Sequence, residues 1–135
     1  MLTHGQLMFV AMNFLADLLP GITEADASLT VGPLSHGAGV HALAVVARGA
    51  PTVLMPTEKF DVAEAWRLIA AHRVSNLFTV PSIVNMLVDH PMVDQVDHSS
   101  LRYVIYAGAP MYRPTRSARC TSWARCWCNI TAWPR

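Results

Sequence analysis

The chain has 135 residues, 53% of them hydrophobic and only 14% charged, with a formal net charge of +1. Such a length is one domain or a piece of one, and such an apolar balance means much interior or a lost covering partner. Near-neutral charge points to neither nucleic acid nor an anionic membrane surface. Asp17, Glu24 and Arg48 keep every apolar run short of the roughly 18 residues of a membrane span. No basic stretch precedes the first apolar segment as in a signal peptide, so the chain is expected in the cytoplasm.

Thr3 is an N-cap signal for a helix over residues 4–19. Leu7, Val10, Ala11, Phe14 and Leu18 share one face, and Met8, Met12, Leu15 and Leu19 fill its flank. Only Gln6, Asn13 and Asp17 form a polar stripe, so this helix expects cover on nearly all sides. Pro20-Gly21 ends it. Residues 27–31 read as a buried strand, and residues 40–47 as an apolar helix with Gly49 at the left-handed position after it.

Between that strand and helix lies Gly32-Pro33-Leu34-Ser35-His36-Gly37-Ala38-Gly39. Its glycines permit close backbone approach at a strand's carboxyl end, where open α/β sheets place their ligands. A plain connection carrying a solvated histidine is the competing reading of this segment taken alone.

Residues 51–56 form a second apolar strand. Asp61 and Glu64 have capping-box spacing for a helix with Val62, Ala65, Trp66 and Ile69 on one face, ending near His72-Arg73. A third strand, residues 76–80, stops at Pro81, and Ser82 caps a helix through about Asp89. A polar connection over residues 94–100 leads to a fourth strand, residues 101–106, which breaks at Ala107-Gly108-Ala109-Pro110. Short apolar strands alternating with helices predict an α/β fold: a mostly parallel sheet flanked by helices.

Spacing alone assembles no catalytic machinery. His36 and His41 have no carboxylate or thiolate at ligand spacing, and Cys120, Cys126 and Cys128 make an incomplete set, so no metal site is expected. Ser35 and His36 are adjacent and do not face each other, and no G-x-S-x-G elbow is present. A G-x-x-x-x-G-K phosphate loop is also absent. Three ligand-facing loops remain, at residues 34–39, 80–82 and 107–110.

Six short motifs, in order, resemble one family. They are Leu2-Thr3-His4, Pro33-Leu34-Ser35-His36-Gly37, Phe60-Asp61, Val80-Pro81-Ser82, Ser99-Ser100-Leu101-Arg102 and Ala107-Gly108-Ala109-Pro110. Together they resemble the AMP-forming acyl-CoA synthetases of the adenylate-forming superfamily, over residues 1 to about 113. The resemblance implies a fragment of the large N-terminal domain of such an enzyme. It also implies a two-step reaction in which a carboxylate and ATP give an acyl-adenylate and pyrophosphate, and CoA then displaces AMP.

By the same resemblance, His36, Gly37, Val80, Pro81 and Ser82 border the acyl substrate, while Ala107, Gly108, Ala109 and Pro110 face the adenine nucleotide. ATP, CoA and Mg2+ belong to the parent enzyme, with a fatty or aromatic carboxylic acid as substrate. The family's phosphate loop, Tyr-Gly-x-Thr-Glu motif, ribose-binding aspartate and C-terminal lysine domain are not legible. This chain alone is therefore expected to be inactive and to hold no cofactor, no metal and no catalytic residue of its own. A non-catalytic remnant that binds an acyl group or a protein is the alternative.

The end of the chain differs in composition. All three cysteines, three of the four tryptophans and five of the ten basic residues lie from Arg113 onward, with no acidic residue. Residues 114–135 are expected to be an out-of-frame, poorly packed tail. Joining the third base of each codon to the first two of the next permits Val-Gln-Tyr-Tyr-Gly-Met-Ala-Glu in place of residues 127–135. That string resembles the family's Tyr-Gly-x-Thr-Glu motif.

Overall fold

The computed structural model describes residues 3–57 and 59–110, and the backbone of residues 127–129. Five parallel strands form one sheet: β1 (Ser28–Thr30), β2 (Thr52–Leu54), β3 (Asn76–Thr79), β4 (Tyr103–Tyr106) and β5 (Trp127–Asn129), in the order β2-β1-β3-β4-β5. The helices are α1 (His4–Asn13), α2 (Gly37–Val46), α3 (Val62–Ala71) and α4 (Pro81–Asp89). The predicted α/β architecture is present, with each strand shorter by one to three residues than its apolar run.

Strand alternation sorts the sheet residues between two layers. Leu29, Leu77, Val104 and Tyr106 pack with Ala65, Trp66 and Ile69 of α3 and with Val84, Leu87 and Val88 of α4. On the other face Ile105 packs with Ala44 and Val45 of α2 and Ala11 of α1, flanked by Phe14, Phe78 and Tyr103. α2 leads from β1 to β2 on one side of the sheet's starting point. α3 then carries the chain across to β3 on the other side. The connections therefore diverge between β1 and β3, the topological switch point where ligands of open α/β sheets bind.

Some expectations change. The first helix is α-helical only to Asn13 and continues as a π turn, Phe14–Leu18. Its cap is a full capping box, with the Gln6 amide donating to Thr3 Oγ1 and the Thr3 amide to Gln6 Oε1. Ala11 is buried, while Met8, Phe9 and Met12 on the helix's flank are exposed. α2 starts at Gly37, three residues earlier than its apolar periodicity suggests, because glycine at its first turn still accepts helical geometry.

At α4, Val80 is the N-cap and Pro81 occupies the first turn, so Ser82 lies inside the helix and caps nothing. Proline's fixed φ and missing N–H suit that first position. Asp61 does accept the Glu64 amide at 2.8 Å, while the Glu64 carboxylate turns to Arg67.

Residues 127–129 lie in the stretch expected to be poorly packed, yet they form β5, paired with Val104, Ile105 and Tyr106 of β4. Ladder bonds use backbone groups alone. The rest of residues 111–135, including Cys120 and Cys126, lies outside the described residues.

Candidate functional site at the switch point

His36 is the N-cap of α2, with extended backbone angles, and its side chain is exposed. A tight turn holds it: its amide donates to the Pro33 carbonyl at 3.2 Å, and the Gly39 amide donates to its own carbonyl at 2.9 Å. Gly39 passes so close to Leu34 that a Cβ would run into the Leu34 carbonyl oxygen. Gly37 lies over the ring of Phe78 in β3, where a Cβ would come within 2.6 Å of two ring carbons. The two glycines thus seat the loop on the sheet, and their first duty is steric.

The other two predicted loops meet this one at the same end of the sheet. Val80, 40% exposed, follows β3 directly, and its carbonyl accepts the amides of Ile83 and Val84 as α4 begins. Pro81 is buried and Ser82 exposed. The Ala107 amide donates to the Thr79 carbonyl at 3.2 Å, keeping the turn after β4 beside the end of β3. Gly108 there has a left-handed φ of 90°, and a Cβ on it would stand 3.9 Å from Val80 Cγ1. Ala109 and Pro110 are exposed. The structure therefore gathers His36, Gly37, Val80 and Gly108 at the carboxyl edge of β1, β3 and β4, with Ser82 one step outward on α4.

Two features give this edge a polar character. Thr3 caps α1 and Asp61 caps α3 through their side chains, but α2 and α4 have no side-chain cap. Their first-turn amides carry the positive end of the helix dipole toward the edge, which favours an anion. Thr30 and Thr79, the last residues of β1 and β3, each hold a buried hydroxyl with no hydrogen-bond partner among the described residues.

The sequence pattern misses the most buried ionisable side chain among the described residues, His41 on α2, which is 1% exposed. Its Nε2 lies 2.8 Å from Asn76 Oδ1 and 3.1 Å from Ser28 Oγ. Both partners meet the same nitrogen and both are fully buried, so the trio is no hydrolytic triad, which needs the two nitrogens in different roles. Burial pushes the His41 pKa down to about 4, against a smaller opposing effect of the Asn76 hydrogen bond. The sequence marks His41 only as a histidine inside an apolar helix, and its partners Ser28 and Asn76 lie 13 and 35 residues away.

A family model described as "AMP-binding enzyme" matches residues 1–130. The chain belongs to that family. Feruloyl-CoA synthase from Amycolatopsis is 30% identical over 113 residues, which are 82% of this chain and 22% of that protein. The N-terminal domain of FACL13 from Mycobacterium tuberculosis superposes with a TM-score of 0.81 at 26% identity, covering 97% of this chain and 32% of that one. The o-succinylbenzoate CoA synthetase of Bacillus subtilis, solved with ATP and magnesium, superposes with a TM-score of 0.74 at 28% identity, covering 89% and 24%. This member of the AMP-binding enzymes spans about a fifth of the length of the curated relatives it matches.

Among the described residues no three His, Cys, Asp or Glu side chains stand together as metal ligands. No helix among the described residues is long and apolar enough to cross a membrane.

Proposed function

We propose that this chain is the switch-point portion of an AMP-forming acid–CoA ligase, which joins a fatty or aromatic carboxylic acid to CoA at the expense of ATP. The observation that carries the reading is the convergence of His36, Val80 and Gly108 at the edge where β1 and β3 send their connections apart. ATP supplies the activating nucleotidyl group. His36 and the open N-terminus of α2 hold the acid's carboxylate, while Val80, Pro81 and Ser82 border its chain. The exposed backbone at residues 107–110 lies against the adenine ring.

Alone, the 135 residues are expected to catalyse no adenylation: holding the triphosphate and its magnesium needs positioned donors, and among the described residues no three potential metal ligands stand together. Residues from about Pro114 onward are an out-of-frame reading of a gene whose shifted frame continues the enzyme.

Acid-dependent ATP–pyrophosphate exchange is the test. The expected result is exchange by the complete enzyme, its loss or a raised acid KM in His36→Ala, and none by this chain. Unchanged kinetics in His36→Ala for every acid would remove His36 from the site. A shift in this chain's melting temperature with acids, without exchange by any longer form, favours an acyl-binding remnant with its apolar α1 face exposed. Sequencing the gene decides the frame, and a stop codon in the shifted frame before Gly-Met-Ala-Glu ends that part of the proposal.

A further inference from the structure

The loop bearing His36 continues directly into α2, so whatever fixes α2 fixes His36. α2 meets the sheet through small apolar residues, Ala38, Ala44 and Val45, which fill space without setting direction. His41 is its one described side chain that hydrogen-bonds the strands, and it does so across two of them, to Ser28 on β1 and Asn76 on β3. Asn76 is itself oriented: its Nδ2 donates to Ser75 Oγ at 3.0 Å and to the Ala27 carbonyl at 3.4 Å, leaving Oδ1 to accept from His41. The proton therefore sits on Nε2, and Nδ1 is buried without a partner.

The imidazole also lies between two aromatic rings, with Phe14 at 6.2 Å edge-on and Phe78 at 6.0 Å. Phe78 is the ring on which Gly37 rests. A continuous set of contacts thus runs from Asn76 through His41 and Phe78 to Gly37 and His36.

We propose that His41 is a positioning residue: by tying α2 to the two central strands it holds the helix's first turn, and so His36, at the switch-point edge. The placement stands on the geometry alone, and its meaning for catalysis rests on the ligase reading.

Protonation would undo the tie. A second proton would go to Nδ1, which has no acceptor, in a site that burial already makes hostile to charge. No charged side chain among the described residues offsets it. Around His41, β1 presents Ser28 and Thr30, β3 presents Asn76 and Phe78, and β2 presents Thr52. On α1 and its π turn, His4 and Asp17 are exposed, and after α2 the exposed Arg48 donates to the Ile22 carbonyl.

Amide hydrogen exchange on the full 135-residue chain, followed by mass spectrometry and corrected for intrinsic pH effects, tests this. In His41→Leu, peptides covering residues 34–40 should lose protection by about tenfold or more, while α3 peptides stay near wild type. His41→Gln, whose amide nitrogen reaches the Nε2 position, should keep that protection and abolish its pH dependence. In the wild type, lowering the pH from 7 to 4.5 should open residues 34–40 before α3. Equal protection of the loop in His41→Leu and wild type overturns the proposal, as does an equal loss in loop and α3. If the leucine variant does not fold, the wild-type pH series decides alone, and simultaneous opening of loop and α3 overturns it. The measurement needs no turnover, so its failure is distinct from that of the ligase reading.

Discussion

Toward α3 and α4 the sheet presents Leu29, Leu77, Val104 and Tyr106, whereas toward α2 it presents Ser28, Thr30, Asn76 and Phe78. The first layer is a broad apolar core with Trp66 at its centre, fully buried and donating its indole N–H to the Leu87 carbonyl at 3.2 Å. The second is thinner and holds a polar trio whose bonds are directional. Apolar area supplies stability but tolerates sliding, while a bond to one particular oxygen fixes where a helix sits. The face that fixes position is also the face that carries His36.

Truncating the centre of the apolar layer should have the largest effect. Trp66→Ala should cost about 3–5 kcal/mol, read from denaturant melts, and a marginal domain would unfold outright. A smaller loss than in Asn76→Ala would break the comparison, because it would put the stability on the polar side.

Between pH 6.5 and 4, acid should act on the polar side through His41. The folded-state pKa of His41, about 4, lies below its ordinary 6.5, so the unfolded chain binds the extra proton first. The stabilisation is complete above pH 6.5 and falls toward pH 4 by up to about 1.4 kcal/mol for each unit. Melts of wild type against His41→Gln across that window check this, and parallel slopes would show that His41 contributes nothing.

Gly39→Ala should come next, at about 1–3 kcal/mol, because its methyl group meets backbone rather than a movable side chain. Smallest of all, Arg67→Ala should cost about 0.5 kcal/mol or less in the same melts, since its pair with Glu64 is exposed on α3. A larger effect would mean that the outer surface of that layer does more than solvate.

The apolar layer was largely legible in the sequence. Val62, Ala65, Trp66 and Ile69 repeat at helical spacing, and Asp61 announces the start of α3. Each strand reads as an apolar run between turn residues. The polar layer was not legible, because α2 is apolar by composition and no periodicity marks His41. Its partners, Ser28 and Asn76, are 13 and 35 residues away. The site loops could be placed at strand ends from their glycines and prolines, but their meeting depends on strand order, which spacing does not encode. The contact between Gly37 and Phe78 is of that kind.

The strand order also dictates a timetable. β1 is made first, yet its two neighbours, β2 and β3, both come after it. A chain leaving the ribosome has α1, β1 and α2 in hand long before residue 76 appears. Until then Leu29 has no Leu77 beside it and His41 has no Asn76 to bond. For that interval the first half of the chain is an uncovered apolar segment carrying an ordinary, freely protonated histidine. Closure must wait for contacts distant in sequence, the slow kind. A chaperone that holds unfinished chains would find its binding surface there, and would lose it when β3 arrives.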